Sequence, residues 1–189
     1  MLYHSFPLEC FKDIKQFVQI YMNQFNIENI YVKNVPMPEN LIHSFNKEMS
    51  LYGLSSAWNF LAFKRKNYFD ETLDVHIDYS INQGIVYSSI ILPIEGCLET
   101  KMYWVSGEHD VKPITYISNN VTYAIPKWKK MPVITSSVEI NDTPMLVKVD
   151  VPHSVTSRKD GSYRTILSIR LLGNPKFEEV LQKRFDNKS

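Results

Sequence analysis

Phe11, Ile14, Phe17, Val18, Tyr21, Met22 and Phe25 recur at steps of three and four residues. That period puts them on one stripe of a helix and predicts an amphipathic helix over about Leu8 to Phe25. Ile27 to Val35 is β-rich and stops at Val35-Pro36-Met37-Pro38, where the prolines make a rigid turn. Past Pro38, Leu41, Ile42, Phe45 and Met49 again share one helical face, so a second helix should run from there to near Gly53.

From about Trp58 the pattern changes to short runs of β-branched and aromatic residues broken by Gly, Pro, Asn and Asp. Strands are expected at Ala57–Phe63, Leu73–Ile77, Gly84–Pro93, Lys101–Val105, Ile114–Ile117, Val121–Ile125, Val133–Val138, Met145–Val149 and Tyr163–Leu172. Many short strands at this spacing suggest a sandwich or barrel. Residues from Pro175 to Phe185 should close the chain as a short charged helix. The expected fold class is α+β: a double-stranded β-helix (jelly roll, cupin-like) over 58–172, with two helices in 1–57 packed on the sheet and a C-terminal helix or tail in 173–189. No internal repeat or composition break divides the 189 residues, so one domain is expected.

Composition narrows the function classes. Ten Phe, eleven Tyr and three Trp against six Gly exclude disorder and low complexity. A net charge of +1 supplies no strong field for nucleic acid or anionic lipid. The basic runs Lys64-Arg65-Lys66 and Lys127-Trp128-Lys129-Lys130 read as solvated loop or strand-end charges. Cys10 and Cys97 form neither a metal spacing nor a disulfide framework, and two isolated thiols suit a reducing cytosol. With no basic-then-apolar leader and no stretch approaching a membrane span, a cytoplasmic protein is expected.

Candidate chemistry lies in two segments. Asp74-Val75-His76-Ile77-Asp78 carries a His-X-Asp pair, and on an extended segment both side chains share one face. With five His and nine Asp, about one chain in four of this composition holds such a pair by chance, so alone it reads first as a strand-edge pair bonded to backbone or solvent. His153, in Val151-Pro152-His153-Ser154-Val155, offers a third ligand from a distant strand. His76, Asp78 and His153 together would make a two-histidine, one-carboxylate facial set with open positions for Fe(II). Asp74 could orient an imidazole from the second layer or simply start the strand. Arg164 follows eleven residues after His153 on a β-branched run, where burying an unpaired guanidinium is costly. A dicarboxylic co-substrate would satisfy it. Arg164 is placed nearer the metal end, and Arg170, on the same face, at the far rim. Tyr87 and Ser89, with Tyr103 on the next strand, could donate to the same carboxylate, or serve as ordinary core-edge residues. His109-Asp110 sits in a polar turn-like stretch and is a poor chelate, since neighbours on an extended chain point apart. It is expected to be a surface loop, and His4 and His43 lie alone in the helical part.

At these residues the chain resembles the Fe(II)/2-oxoglutarate-dependent dioxygenases, and within them small bacterial and phage oxygenases broadly related to aspartyl/asparaginyl hydroxylases. The likeness runs over about 58–172, through His76-Ile77-Asp78, Ser89 to Ile94 with Thr100 to Trp104, and Pro152-His153-Ser154-Val155 with Arg164 to Arg170. The resemblance implies that His76, Asp78 and His153 hold iron and that Arg164 grips the distal carboxylate of 2-oxoglutarate. A substrate C–H bond would be hydroxylated, with succinate and carbon dioxide as co-products, in a bacterial or phage-infected cell. Where some relatives carry a polar or basic residue after the first ligand, this chain has Ser89 and Ile91. Two other readings stand beside this one: a non-catalytic jelly-roll module with a vestigial pocket, such as a virion component, and a cupin-like metalloenzyme without 2-oxoglutarate. Nucleobase, amino-acid, peptide and small-metabolite substrates are all compatible with the loops Tyr79–Gly84, Gly107–Pro113 and Lys127–Pro132.

Overall fold

The computed structural model describes residues 1–25, 30–66, 75–116, 121–156 and 162–186. Its largest sheet has six antiparallel strands in the order β1 (Tyr3–Ser5), β11 (Met145–Lys148), β6 (Ser88–Glu95), β13 (Tyr163–Leu171), β3 (Ser56–Lys66) and β2 (Ile30–Asn34). A three-stranded sheet runs β10 (Val133–Glu139), β7 (Lys101–Ser106) and β12 (His153–Val155). A four-stranded one runs β5 (Gly84–Ile85), β4 (Ile77–Ser80), β9 (Val121–Trp128) and β8 (His109–Tyr116). The last two are stitched together by a single antiparallel bridge between His76 and His153. The helices are α1 (Phe11–Met22), α2 (Glu39–Ser50) and α3 (Phe177–Asp186). The class is α+β, and none of the described helices is long and apolar enough to cross a membrane.

Two apolar clusters follow from strand alternation. On β13, Leu167, Ile169 and Leu171 pack with Ile90, Leu92 and Ile94 of β6 against Ile14, Val18 and Met22 of α1 and Phe45 and Met49 of α2. The opposite face of β13 carries Ile166, which packs between the sheets with Ile91, Met102, Trp104, Val147 and Val149. Arg164, Ser168 and Arg170 share that inner face by alternation, so the strand brings two guanidiniums into a largely apolar interior. Buried on both sides, β13 is the centre of the fold.

Few caps are supplied locally. Glu48 of α2 accepts from the backbone N–H groups of Glu9 and Cys10 at 2.8 and 2.7 Å, satisfying donors at the start of α1 and tying the helices together. Arg184 of α3 donates to the Ser5 carbonyl and stacks over Phe6, 4.5 Å from the ring centroid, which fastens the last helix to the first strand.

The two N-terminal helices lie where the hydrophobic stripes place them, and the last falls within the expected charged C-terminal segment, but several boundaries move. The first 57 residues also supply β1 and β2 as edge strands of the large sheet. The strand expected up to Ile77 continues through Asp78 to Ser80, because β4 pairs with both β9 and β5. Its start at 73–74, with Asp74, lies outside the described residues. His109-Asp110 begins β8 rather than sitting in a loop: β8 and β9 form a long ribbon that runs to Trp128. Lys64 is not solvated; it is buried and donates to Asn23 Oδ1 at 3.1 Å.

Gly96, just past β6, has φ +62°, and a Cβ there would stand 2.0 Å from the Tyr163 carbonyl oxygen. The obstacle is backbone at the start of β13, so it cannot rotate away. Gly96→Ala should lower unfolding free energy by about 2–4 kcal/mol in chemical denaturation. An unchanged midpoint would mean that this close approach does not constrain the fold.

Candidate metal centre

His76 and His153 exchange two backbone hydrogen bonds, each N–H donating to the other's carbonyl at 2.9 Å. Residues paired in this way point their side chains to the same face. The imidazoles therefore meet, with ring centroids 4.6 Å apart. Asp78, two residues on, returns to that face. Its backbone is pinned as its N–H donates to Val149 at 3.0 Å and its carbonyl accepts from Val86 at 3.0 Å.

The three side chains converge. Asp78 Oδ1 lies 3.6 Å from His76 Nε2 and 3.6 Å from His153 Nε2. One ligand atom from each residue can be chosen so that all lie within 4.8 Å of one another. A nitrogen–oxygen gap of 3.6 Å is too long for a hydrogen bond, so the cluster is not closed on itself. Two ligands on perpendicular bonds of about 2.1 Å to one ion stand about 3 Å apart, so the trio needs to close only slightly around a divalent cation.

The protonation states suit this role. His153 Nδ1 lies 2.9 Å from the Val151 carbonyl, which can only accept. That fixes the hydrogen on Nδ1 and leaves the Nε2 lone pair aimed at Asp78. Burial, with His76 beside it, lowers the His153 imidazole to about 4 against the opposing pull of Asp78. It is therefore neutral, the form that binds metal, at physiological pH. Tyr123, directly across β9 from Asp78, packs its ring edge-on to His76 at 4.5 Å. No local pattern singles out this residue beyond its place in a strand.

The other sequence candidates divide. Arg164 Nη1 donates to the Thr156 carbonyl at 3.3 Å. Thr156 lies three residues along from His153, about 10 Å at strand rise. Arg164 Nε is buried without a partner among the described residues. Burial lowers this guanidinium to about 10, with Cys97 raising it and Arg65 lowering it, so it stays charged at neutral pH. Arg65, first read as a solvated charge, stands directly across β3 from Arg164. Arg170 Nη2 instead donates to the Tyr79 carbonyl at 3.4 Å, one residue past Asp78. The expected order of the two arginines is thus reversed: Arg170 marks the metal end. The reason is topological, because β13 starts beside the end of β12 and runs back towards the ligands.

Ser89 is fully buried and stands across from Arg170, not Arg164. The two arginines are six residues apart on β13, about 20 Å, so Ser89 and Arg164 cannot hold one carboxylate. Tyr87 precedes β6 and is half-buried, with its backbone N–H donating to Asn174 at 3.1 Å. Tyr103 pairs with Ser154, so it points away from the face that carries His153. His109 stacks edge-on with Trp128, five residues along β9 from Tyr123 or about 17 Å away. It takes no part in the centre.

No family model matches the chain, and neither does any curated protein. Among solved structures it is similar to AviO1 from Streptomyces viridochromogenes Tue57, with 11% identity, 90% of this chain and 89% of that chain covered, and a TM-score of 0.48. It is also similar to hydroxypropylphosphonic acid epoxidase from S. wedmorenis in complex with fosfomycin, with 14% identity, 59% and 42% covered, and a TM-score of 0.30. A prolyl-4-hydroxylase from Pseudomonas putida shows 10% identity, 89% and 90% covered, and a TM-score of 0.33.

The His153 imidazole gives a pH signature in the metal-free protein. Its folded value of about 4 lies below the unfolded value of about 6.5. Its contribution is complete above pH 6.5 and is lost as pH falls towards 4, by about 3 kcal/mol in total. Denaturation of the wild type and His153→Gln across pH 4 to 7 should give curves that converge on acidification. Parallel curves would show that this imidazole is not held neutral.

Proposed function

We propose that this chain is an Fe(II)- and 2-oxoglutarate-dependent oxygenase that hydroxylates its substrate, built on a double-stranded β-helix. The observation that carries the reading is the convergence of His76, Asp78 and His153 within 4.8 Å. Two imidazoles and one carboxylate on a single face suit iron and leave the opposite face open to exchangeable ligands. The fold reading is supported by strand order: β3, β6, β11 and β13 share the large sheet, while β4, β7, β10 and β12 lie on the other side of the interior. Cys10 and Cys97, both buried free thiols, support a reducing compartment.

His76, Asp78 and His153 would hold the iron. Bound iron would activate dioxygen, the oxidant, one oxygen atom going into the substrate C–H bond and the other into succinate as 2-oxoglutarate loses carbon dioxide. Val151 keeps the His153 lone pair on the metal side. Arg164, with an unspent buried Nε, would hold the distal carboxylate of the co-substrate. Trp104, Met102, Ile91 and Ile166 wall the space between the sheets with apolar surface and limit water around the charged groups.

The wild type should bind 2-oxoglutarate in the presence of Fe(II) and form succinate. Arg164→Gln should weaken that binding by roughly 30- to 4,000-fold, the effect of removing one partner of a buried charge pair, while iron affinity is kept. Anaerobic titration followed by the metal-to-ligand charge-transfer band reads both quantities. Iron binding without 2-oxoglutarate binding at millimolar concentration would leave a metalloenzyme of another kind. Binding of neither would leave a non-catalytic module.

A further inference from the structure

A second cationic group stands beside the metal ligands and takes no part in the reading above. Arg170 is 9% exposed, and its Nε is buried without a partner among the described residues. Its guanidinium makes one long bond, from Nη2 to the Tyr79 carbonyl. No carboxylate among the described residues forms an ion pair with it. Directly across the sheet, Ser89 is 0% exposed, and its hydroxyl also lacks a partner among the described residues. Opposed residues on antiparallel strands hold their Cβ atoms about 5 Å apart, so a guanidinium N–H and a hydroxyl face the same small volume. A buried charge and a buried hydroxyl left without partners are each costly, and both are donors.

The geometry points to an oxyanion site formed by Arg170 and Ser89, which receives a carboxylate or phosphate group of the oxygenase's primary substrate next to the metal. This rests on the reading of the metal centre given above. Direction distinguishes it from the co-substrate's site. Arg164, six residues back along β13, reaches the Thr156 carbonyl past the end of β12, whereas Arg170 reaches the Tyr79 carbonyl on the side where Asp78 and His76 reach solvent, with side chains 14% and 25% exposed. A substrate entering on that side meets Arg170 and the metal ligands together. A negative group held there would fix the distance between the anionic end of the substrate and the bond that reacts. Neutral substrates would leave the pair unfilled and bind poorly.

The test uses the full chain labelled with nitrogen-15 and follows the Nε–Hε resonance of Arg170. Sodium acetate and inorganic phosphate are titrated separately into metal-free protein and into protein saturated with Zn(II) and 2-oxoglutarate. A saturable shift that survives saturation with 2-oxoglutarate is expected. Ser89→Ala should weaken it by about tenfold, the worth of one hydrogen bond to a charged group. Arg170→Lys, which keeps the charge but loses the fork and the reporter, should weaken anion binding as read from the Ser89 backbone amide, while 2-oxoglutarate affinity stays within twofold. Absence of any saturable shift in the wild type would overturn the proposal. So would abolition of the shift by 2-oxoglutarate, because the pair would then belong to the co-substrate. Zn(II) binding is read separately from the ring resonances of His76 and His153. Its failure alongside a retained anion shift would overturn the metal centre and still support the oxyanion site.

Discussion

The two backbone hydrogen bonds between His76 and His153 hold the site together. They join two small sheets that share no other pairing among the described residues, and they set two imidazoles side by side on one face. Asp78 is delivered by the same segment, one pleat further along, with its own backbone bonded to Val149 and Val86. Three side chains separated by up to 77 positions in sequence therefore meet through backbone geometry rather than through attraction to one another. Rigid strands hold such a cluster more closely than loops would, and that preorganisation is what a metal needs.

Charge distribution in the interior follows from the same strands. Arg164 and Arg170 occupy the inner face of β13, one towards the end of β12 and one beside Tyr79. Each keeps a buried Nε without a partner among the described residues. The interior is lined by Ile, Met, Trp and Val, where an unpaired cation costs far more than at the surface. The fold sustains this arrangement because β13 is packed on both faces, with apolar side chains between the charges. An anion beside either guanidinium would relieve that cost.

Much of this was legible in the sequence. Hydrophobic periods located α1 and α2, and strict alternation made the His-X-Asp pair readable as two candidate ligands on one face. His153 was legible as a candidate ligand on a distant strand, but the bounds of that strand were not, since β12 has only three residues and three residues carry no period. The same brevity hid β1. Arg164 and Arg170 could be placed on one face of a strand, yet which end meets the metal depends on how that strand lies relative to β12 and β4, and no local pattern encodes that. Tyr103 and Ser89 illustrate the same limit. Their alternation was plain, but the partner across the sheet, Ser154 for one and Arg170 for the other, decides what each can touch. Tyr123 and Arg65 gain their meaning only from register.

The central claim is that one divalent ion is shared by the side chains at 76, 78 and 153. X-ray absorption spectroscopy of the protein loaded anaerobically with Fe(II) tests it most directly. One iron per chain, with scattering from two imidazoles and an oxygen-rich remainder, is the predicted result, and the imidazole signal should vanish in the double variant His76→Ala, His153→Ala. Iron that binds without imidazole scattering, or that binds unchanged in the double variant, would contradict it.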